Sequence, residues 1–468
     1  MNLKQFFNPK TIAVIGANES EGFGGAVVKR LEKAIDDSGR VFYVNKKRET
    51  LNGKPCYNSI GDIPCDIDLM VIATNKHTVI DLLYEGAKKN VKSAVVFASG
   101  FSETHFDEDK ELEKELLRVS RELNIDILGP NCAGFVNFVN GIDAFAFLSE
   151  DRDRKGSIGF VSQSGMISLS LMDNQNTRFS YNISIGNACA IRLSDVIDFL
   201  IDDEQTRVIG MYIDAIKDES LQDFETSLKK AYEKNKRVAL IKVGSNDKSR
   251  LIARNHTGSS ESFSDDEFMS LLKKYNVIRA DDLEELIYIL TSLSNMNLPD
   301  NFSRFASLNL SGGETALISE SADAFKGIEF PDFPKELADY LKDKLPSYAN
   351  ISNPLDMTVT LSYDADAFSE ALVKVMQEDT IDAVLIGYTL LCNIDDPCIY
   401  YMLEGIKKTK DILKEKMKPV FIISFMSNTR NQKCLEELLK NGIVCLPSTK
   451  YAFSILNKLQ KSWFSELE

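Results

Sequence analysis

His256, one of only three histidines in 468 residues, stands in the run Arg254-Asn255-His256-Thr257-Gly258-Ser259-Ser260, small polar residues without a helical or strand period. An imidazole can act as nucleophile, base or ligand near neutral pH. In a loop after the apolar strand Val238-Ala239-Leu240-Ile241-Lys242-Val243 it is a candidate covalent carrier, although taken alone such a residue is more often a solvated surface side chain. Two Gly/Ser turns offer what a charged group on such a carrier would need: Ser162-Gln163-Ser164-Gly165 and Leu310-Ser311-Gly312-Gly313-Glu314. Each lies between a strand and a helix start, where free backbone N–H groups and the helix dipole favour an anion. Such turns also serve as plain helix caps. Both beside the histidine loop would make a pocket for a phosphohistidine.

A third glycine turn opens the chain, Ile15-Gly16-Ala17-Asn18-Glu19-Ser20-Glu21-Gly22-Phe23-Gly24-Gly25, again between strand and helix. Glycines there let backbone N–H groups approach a phosphate. The spacing is not GxGxxG, and the second strand ends Val44-Asn45-Lys46-Lys47-Arg48, three cations where a dinucleotide site wants an acid. That suits coenzyme A better than NAD, with phosphates near Gly16, Ala17, Gly22 and Gly25 and the ribose phosphate near Lys47. An unused turn beside a solvated basic patch stays open as the alternative.

These residues need scaffolds, and the chain supplies them as alternating strands and helices, the pattern of parallel sheets covered on both faces. Strands are expected at 11–15, 41–44, 69–73, 94–98 and 125–128, at 157–161, 180–185, 207–213 and 238–243, and at 304–310, 382–387, 419–424 and 443–446. The expected fold is α/β, an N-terminal Rossmann-like domain (1–128) followed by two flavodoxin-like doubly wound domains (129–298 and 299–468). Residues 345–365 read as an irregular connection long enough to be functional.

Composition sets the class. With 44% apolar and 27% charged residues the chain is an ordinary globular protein of about three domains. The start Met1-Asn2-Leu3-Lys4-Gln5-Phe6-Phe7 runs into a strand, leaving no room for a signal peptide, and no apolar stretch approaches the roughly 18 residues of a membrane span, so a cytoplasmic location is expected. The eight cysteines (56, 65, 132, 189, 392, 398, 434, 445) lack a CxxC pair and read as reduced thiols, with no metal site expected. A net charge of −15 disfavours nucleic acid and anionic membranes as partners.

The order of Ile15-Gly16-Ala17 with Gly22 and Gly25, Val44-Asn45 with Lys47, Val71-Ile72-Ala73-Thr74, Ser99-Gly100-Phe101-Ser102-Glu103, Gly129-Pro130-Asn131-Cys132, Ser162-Gln163-Ser164-Gly165, Ser184-Ile185-Gly186-Asn187, His256-Thr257-Gly258 and Asn353-Pro354-Leu355-Asp356 resembles the alpha subunit of NDP-forming acyl-CoA synthetases, relatives of succinyl-CoA synthetase, over essentially the whole chain. The resemblance implies an ADP-forming acid–thiol ligase that works through acyl phosphate and phosphohistidine intermediates. It implies that CoA contacts Gly16, Ala17, Asn18, Gly22, Gly25, Asn45, Lys47, Ala73, Thr74, Ser99, Gly100 and Asn131. It further implies that His256 accepts phosphate, that Gln163, Ser164, Gly165, Gly312 and Gly313 bind phosphate, and that Asp214 orients His256 where the family usually has glutamate in a Tyr-Ile-Glu context.

After Asn187 the family commonly continues Lys-Ala-Asp-Val-Asp; here Ala188-Cys189-Ala190-Ile191-Arg192 stands instead, which bears on the acyl substrate, expected to be a small carboxylic acid. With all three units assigned, an ATP-grasp domain of about 150–200 residues is expected on a separate beta subunit, holding ATP or ADP with Mg2+. The alternatives are a non-catalytic CoA-binding or sensing protein of the same fold, and an NAD(P)-dependent Rossmann oxidoreductase.

Overall fold

Short apolar runs rich in Val and Ile become the parallel strands expected of them, because strands buried on both faces need no polar alternation. In the computed structural model, which describes the chain outside residues 21, 35–39, 105, 148–153, 175, 217–219, 247, 250, 253–263, 428–430 and 461–468, they form three sheets. The chain divides into two compact units, Met1–Leu286 and Ile287–Glu468; the first carries two sheets and the second carries one.

The first sheet contains β1 (Ile12–Ile15), β2 (Val41–Val44), β3 (Thr50–Leu51), β4 (Lys54–Tyr57), β5 (Leu69–Ile72), β6 (Ser93–Val96) and β7 (Asp126–Leu128). Its order is β3-β4-β2-β1-β5-β6-β7, parallel except for the β3–β4 hairpin. Because β2 and β5 flank β1 on opposite sides, the crevice for a ligand opens beyond the carboxyl end of β1. The hairpin was legible but unread. Asn52 and Gly53, both at positive φ (49° and 76°), form the Asn-Gly turn that joins two very short strands.

The second sheet contains β8 (Gly134–Asn137), β9 (Ile142–Phe145), β10 (Lys155–Ser162), β11 (Phe179–Ser184), β12 (Val208–Ile213), β13 (Arg237–Lys242) and β14 (Ile278–Arg279), in the order β14-β13-β12-β10-β11-β8-β9. It is mixed rather than purely parallel: β8 runs antiparallel to both β11 and β9. The connection between β8 and β9 holds four residues and contains Asn140-Gly141, too short for the crossover a parallel pair requires. β10, flanked by β11 and β12, is the second switch point.

One hydrophobic core joins these two sheets, including Val14, Leu31, Phe135, Val161, Ile183 and Phe268. The helix Phe23–Ala34 lies within that shared core, and its Arg30 forms a buried ion pair with Asp143 of β9 at 2.5 Å, the side chains 5% and 9% exposed. Arg30 also donates to the Phe147 carbonyl. The opposite face of the first sheet has its own core around Ile15, Ile72 and Val96.

In the second unit β15 (Phe305–Asn309), β16 (Leu355–Asp356), β17 (Ala383–Gly387), β18 (Val420–Ser424) and β19 (Val444–Pro447) form a parallel sheet in the order β16-β15-β17-β18-β19 over a separate core. The expected irregular connection 345–365 contains the short edge strand β16, pinned by Asn353: its Oδ1 accepts from Ser307 N–H and its Nδ2 donates to the Phe305 and Pro331 carbonyls. Among the described residues no helix is long and apolar enough to cross a membrane, and all eight cysteines are free thiols.

Candidate functional site

Every residue expected to contact CoA lies just beyond a carboxyl end of the first sheet: the Gly16 turn after β1, Asn45 and Lys47 after β2, Ala73 and Thr74 after β5, Ser99 and Gly100 after β6, Asn131 after β7. Gly16 has φ +86°, and a Cβ there would stand 2.7 Å from the Ala73 carbonyl oxygen, so β1 and β5 can close on this turn only with glycine. At Gly25 a Cβ would meet the Ser20 carbonyl at 1.8 Å. The Gly22 carbonyl starts the helix by accepting from Ala26 N–H.

Asn18 and Asn45 shape this cradle through their own amides. Asn18 donates to the Gly16 carbonyl and accepts from Ser20 N–H and Oγ, while Asn45 donates to the Ala17 carbonyl at 2.8 Å and its Oδ1 accepts from Lys47 N–H. The three cations after β2 divide: Arg48 is paired with Glu19 at 3.0 Å, whereas Lys46 and Lys47 are exposed. A backbone turn with lysines at its rim fits a phosphate-rich nucleotide such as CoA, and the residues that directly follow β2 are Asn45, Lys46, Lys47 and Arg48 rather than an acid for a ribose diol.

Three of the quoted motifs meet in a hydrogen-bond knot whose members Asn187, Glu103 and Glu113, unlike Asn131, the sequence reading did not assign to the site. Asn187, 9% exposed, donates through Nδ2 to Glu103 at 2.6 Å and to Glu113 at 2.8 Å, and its Oδ1 accepts from Asn131 at 3.2 Å. Glu103 in turn accepts from the N–H groups of Gly100 and Phe101, and Glu113 from Ser102 N–H. The available signal was Glu113 itself, a charged residue on the buried stripe (109, 113, 116, 120) of the helix Asp107–Leu123.

The first anion turn follows β10. Ser164 caps the helix Gly165–Asp173, its Oγ accepting from Ile167 N–H. Gln163 is committed elsewhere: Nε2 donates to the Ala215 carbonyl at 2.8 Å, and Oε1 accepts from the N–H groups of Asp214 at 2.6 Å and Ala215 at 3.1 Å. Gln163 therefore fixes the backbone that carries Asp214, leaving Ser164 and Gly165 as the open part of the turn. Asp214, 7% exposed, lies just beyond the carboxyl end of β12, two residues after Tyr212. Burial pushes the Tyr212 phenol up, and the charge of Asp214 and a hydrogen bond to its carboxylate hold it there. His256 lies outside the described residues.

Between the ends of β10, β11 and β12, at the switch point, is a cleft of about 50 Å³ lined by residues that include Gln163, Asn187, Ala188, Ser194, Ala215 and Phe224. The altered segment after Asn187 is split by the fold. Ala188 (φ +50°) lines the cleft, whereas Cys189 and Ala190 pack on the core of the first sheet.

The second anion turn, after β15, stands in the other unit. Ser311 caps the helix Gly312–Ala322 and is exposed with Gly312 and Gly313; a Cβ on Gly313 would meet nothing within 4 Å. Two acids attend it. Asp356 Oδ2 lies 3.3 Å from where a Gly312 Cβ would be, and Glu314 accepts from Leu310 N–H. Burial raises the Glu314 carboxyl above its usual range, with the Asp356 charge adding to it.

Residues 10–137 match a CoA binding domain and residues 155–293 a succinyl-CoA ligase like flavodoxin domain. Over 446 residues the chain is 30% identical to the alpha subunit of acetate–CoA ligase (ADP-forming) II of Pyrococcus furiosus, across 94% of this chain and 93% of that subunit. The chain belongs to the ADP-forming acetate–CoA ligase family. Other members are longer. It is 33% identical to the acetate–CoA ligase (ADP-forming) of Methanocaldococcus jannaschii and 30% to form II of Archaeoglobus fulgidus, over 76% and 82% of this chain, and spans only 49% and 57% of their lengths. The solved dinucleotide-forming acetyl-coenzyme A synthetase 1 of Ca. Korarchaeum cryptofilum, in complex with phosphate and ADP, is 26% identical with a TM-score of 0.84, covering 100% of this chain and 99% of that one. The CoA binding domain match spans the first sheet and β8, and the succinyl-CoA ligase like match spans β10 to β14.

Proposed function

We propose that the chain is the alpha subunit of an ADP-forming acyl-CoA synthetase, interconverting acyl-CoA, ADP and phosphate with a carboxylic acid, CoA and ATP. The observation that carries the reading is the Asn187 knot. It ties the carboxyl edge of the first sheet, where the CoA cradle lies, to the switch point of the second, where the anion turn lies. A thioester delivered from the first edge thus faces phosphate at the second.

Phosphate attacks the thioester carbonyl, CoA leaves as the thiol, and the acyl phosphate passes its phosphoryl group to an imidazole nitrogen of His256, releasing the acid. The N–H groups at Ser164 and Gly165 stabilise the charge spread over the phosphoryl oxygens. Asp214, held by Gln163, orients the imidazole and stabilises its cationic form. Ser311, Gly312 and Gly313 offer a second anion turn for the same phosphoryl group. ADP takes the phosphate, with Mg2+, on an ATP-grasp beta subunit; the alpha-subunit name of the Pyrococcus relative supports a separate partner. The site of action is the cytoplasm.

The test is labelling with γ-labelled ATP in the presence of an ATP-grasp subunit. An acid-labile, alkali-stable phosphoprotein is expected, absent in His256→Ala and slowed in Asp214→Ala, with CoA affinity close to wild type in both. Label that persists in His256→Ala removes the histidine from the mechanism. CoA binding without any label makes the protein a CoA-binding module instead, and binding of NADH in place of CoA returns the oxidoreductase.

A further inference from the structure

Phe23 is the first residue of the helix that follows the CoA glycine turn, and it is 44% exposed although Val27, Val28 and Leu31 of the same helix are buried in the shared core. Its ring is braced. It meets Phe97 edge to face at 6.1 Å between centroids and Phe147 at 5.6 Å and 89°. Phe97, 2% exposed, directly follows β6, and Phe147 lies two residues after β9. Phe23 thus enters from the end of β1 and Phe97 from the end of β6, so their contact spans the end of β5, the strand between them. Phe147 in turn reaches the anion turn of the second sheet: its Cε2 lies 3.4 Å from where a Cβ on Gly165 would stand. Beside Gly22 the space is open, for a Cβ there would meet nothing within 4 Å. All of these residues belong to one compact unit.

We propose that Phe23 is a positioning residue for coenzyme A, carrying the pantetheine arm from the glycine turn towards the anion turn; the assignment rests on the ligase reading above. That reading needs a ligand whose phosphates sit at Gly22 and whose thioester meets phosphate at Gly165, and the rings of Phe23 and Phe147 join those two turns. The arm is uncharged and built of methylene, geminal methyl and amide groups, so apolar contact is what can fix its course, whereas the nucleotide half is held by N–H groups and lysines. A surface aromatic standing alone would call for no explanation. One braced by two further rings is a platform already ordered before the ligand arrives, which lowers the cost of holding a flexible chain.

The full chain is titrated by calorimetry with CoA and with adenosine 3′-phosphate 5′-diphosphate, which is CoA without the arm. Phe23→Ala should weaken CoA by about fivefold or more while leaving the nucleotide within about twofold of wild type. Phe23→Leu, which keeps apolar surface, should recover part of the loss. The nucleotide also verifies the fold, because it uses the same glycine turn. Equal weakening of both ligands makes Phe23 a support for the turn and overturns the proposal. So does a defect confined to kcat/KM for aryl acids with CoA affinity intact, which gives the surface to the acyl group. CoA bound equally well by wild type and Phe23→Ala defeats this assignment alone, while a wild-type chain that binds neither ligand defeats the ligase reading and this assignment with it.

Discussion

Gln163 shows how a residue that looks like a ligand can work as a bracket. Its three hydrogen bonds to residues 214 and 215 occupy its amide oxygen and one of its two N–H groups, and they hold the backbone that carries Asp214. Gln163→Ala should cost about 1–3 kcal/mol in chemical unfolding, since three backbone groups lose their partner. If Gln163 acts through Asp214, labelling of His256 should slow in Gln163→Ala about as much as in Asp214→Ala, and the double variant should be no slower than the worse single one. Additive slowing would mean that Gln163 meets the phosphate independently. In sequence Gln163 and Asp214 stand 51 positions apart, and no local pattern announces their union.

At the scale of elements, the helix Phe23–Ala34 is tied to β9 by Arg30 and Asp143. Asp143→Ala leaves a buried guanidinium without its partner and should destabilise the protein by about 3–5 kcal/mol, while Arg30→Met with Asp143→Leu should recover most of that loss in the same denaturant titration. An Asp143→Ala variant as stable as wild type would show that the pair contributes little. The helix start at Gly312 carries a pH signature through Glu314. Its folded pKa lies above the 4.5 of the free carboxyl, so the folded state binds the proton more tightly and ionisation costs stability. Relative to Glu314→Gln, which keeps the acceptor for Leu310 N–H, the wild type should lose stability as pH rises through 4.5 and the raised folded value, and the deficit should persist at neutrality. A stability difference flat from pH 4 to 7.5 would contradict the raised pKa.

At the scale of the whole molecule, the first two sheets share one core although the sheets themselves change over between Leu128 and Gly134. A fragment ending at residue 128 exposes Val14, Leu31 and the rest of that face, and strands Arg30 without Asp143. It should unfold without a cooperative transition and bind CoA far more weakly than the full chain. Cooperative unfolding of this fragment with full CoA affinity would show that the shared core is dispensable. For this reason CoA titration belongs on the intact protein.

The parallel strands and the glycine and serine turns were legible in the sequence, because each depends on residues adjacent in the chain: apolar runs for buried strands, glycine where φ is positive, hydroxyls at helix starts. The antiparallel β8 and β9 and the β3–β4 hairpin escaped, although Asn140-Gly141 and Asn52-Gly53 marked their turns, because β3 has only two residues and Lys54-Pro55-Cys56-Tyr57, Gly134-Phe135-Val136-Asn137 and Ile142-Asp143-Ala144-Phe145 are broken by polar residues, glycine or proline rather than forming continuous apolar runs. Only the tertiary structure decided which turns share an edge, that Asn187 knots Glu103, Glu113 and Asn131, and that Gln163 serves Asp214. Local conformation follows from neighbours along the chain, whereas hydrogen-bond partners and cavities arise from segments that meet only when the sheets assemble.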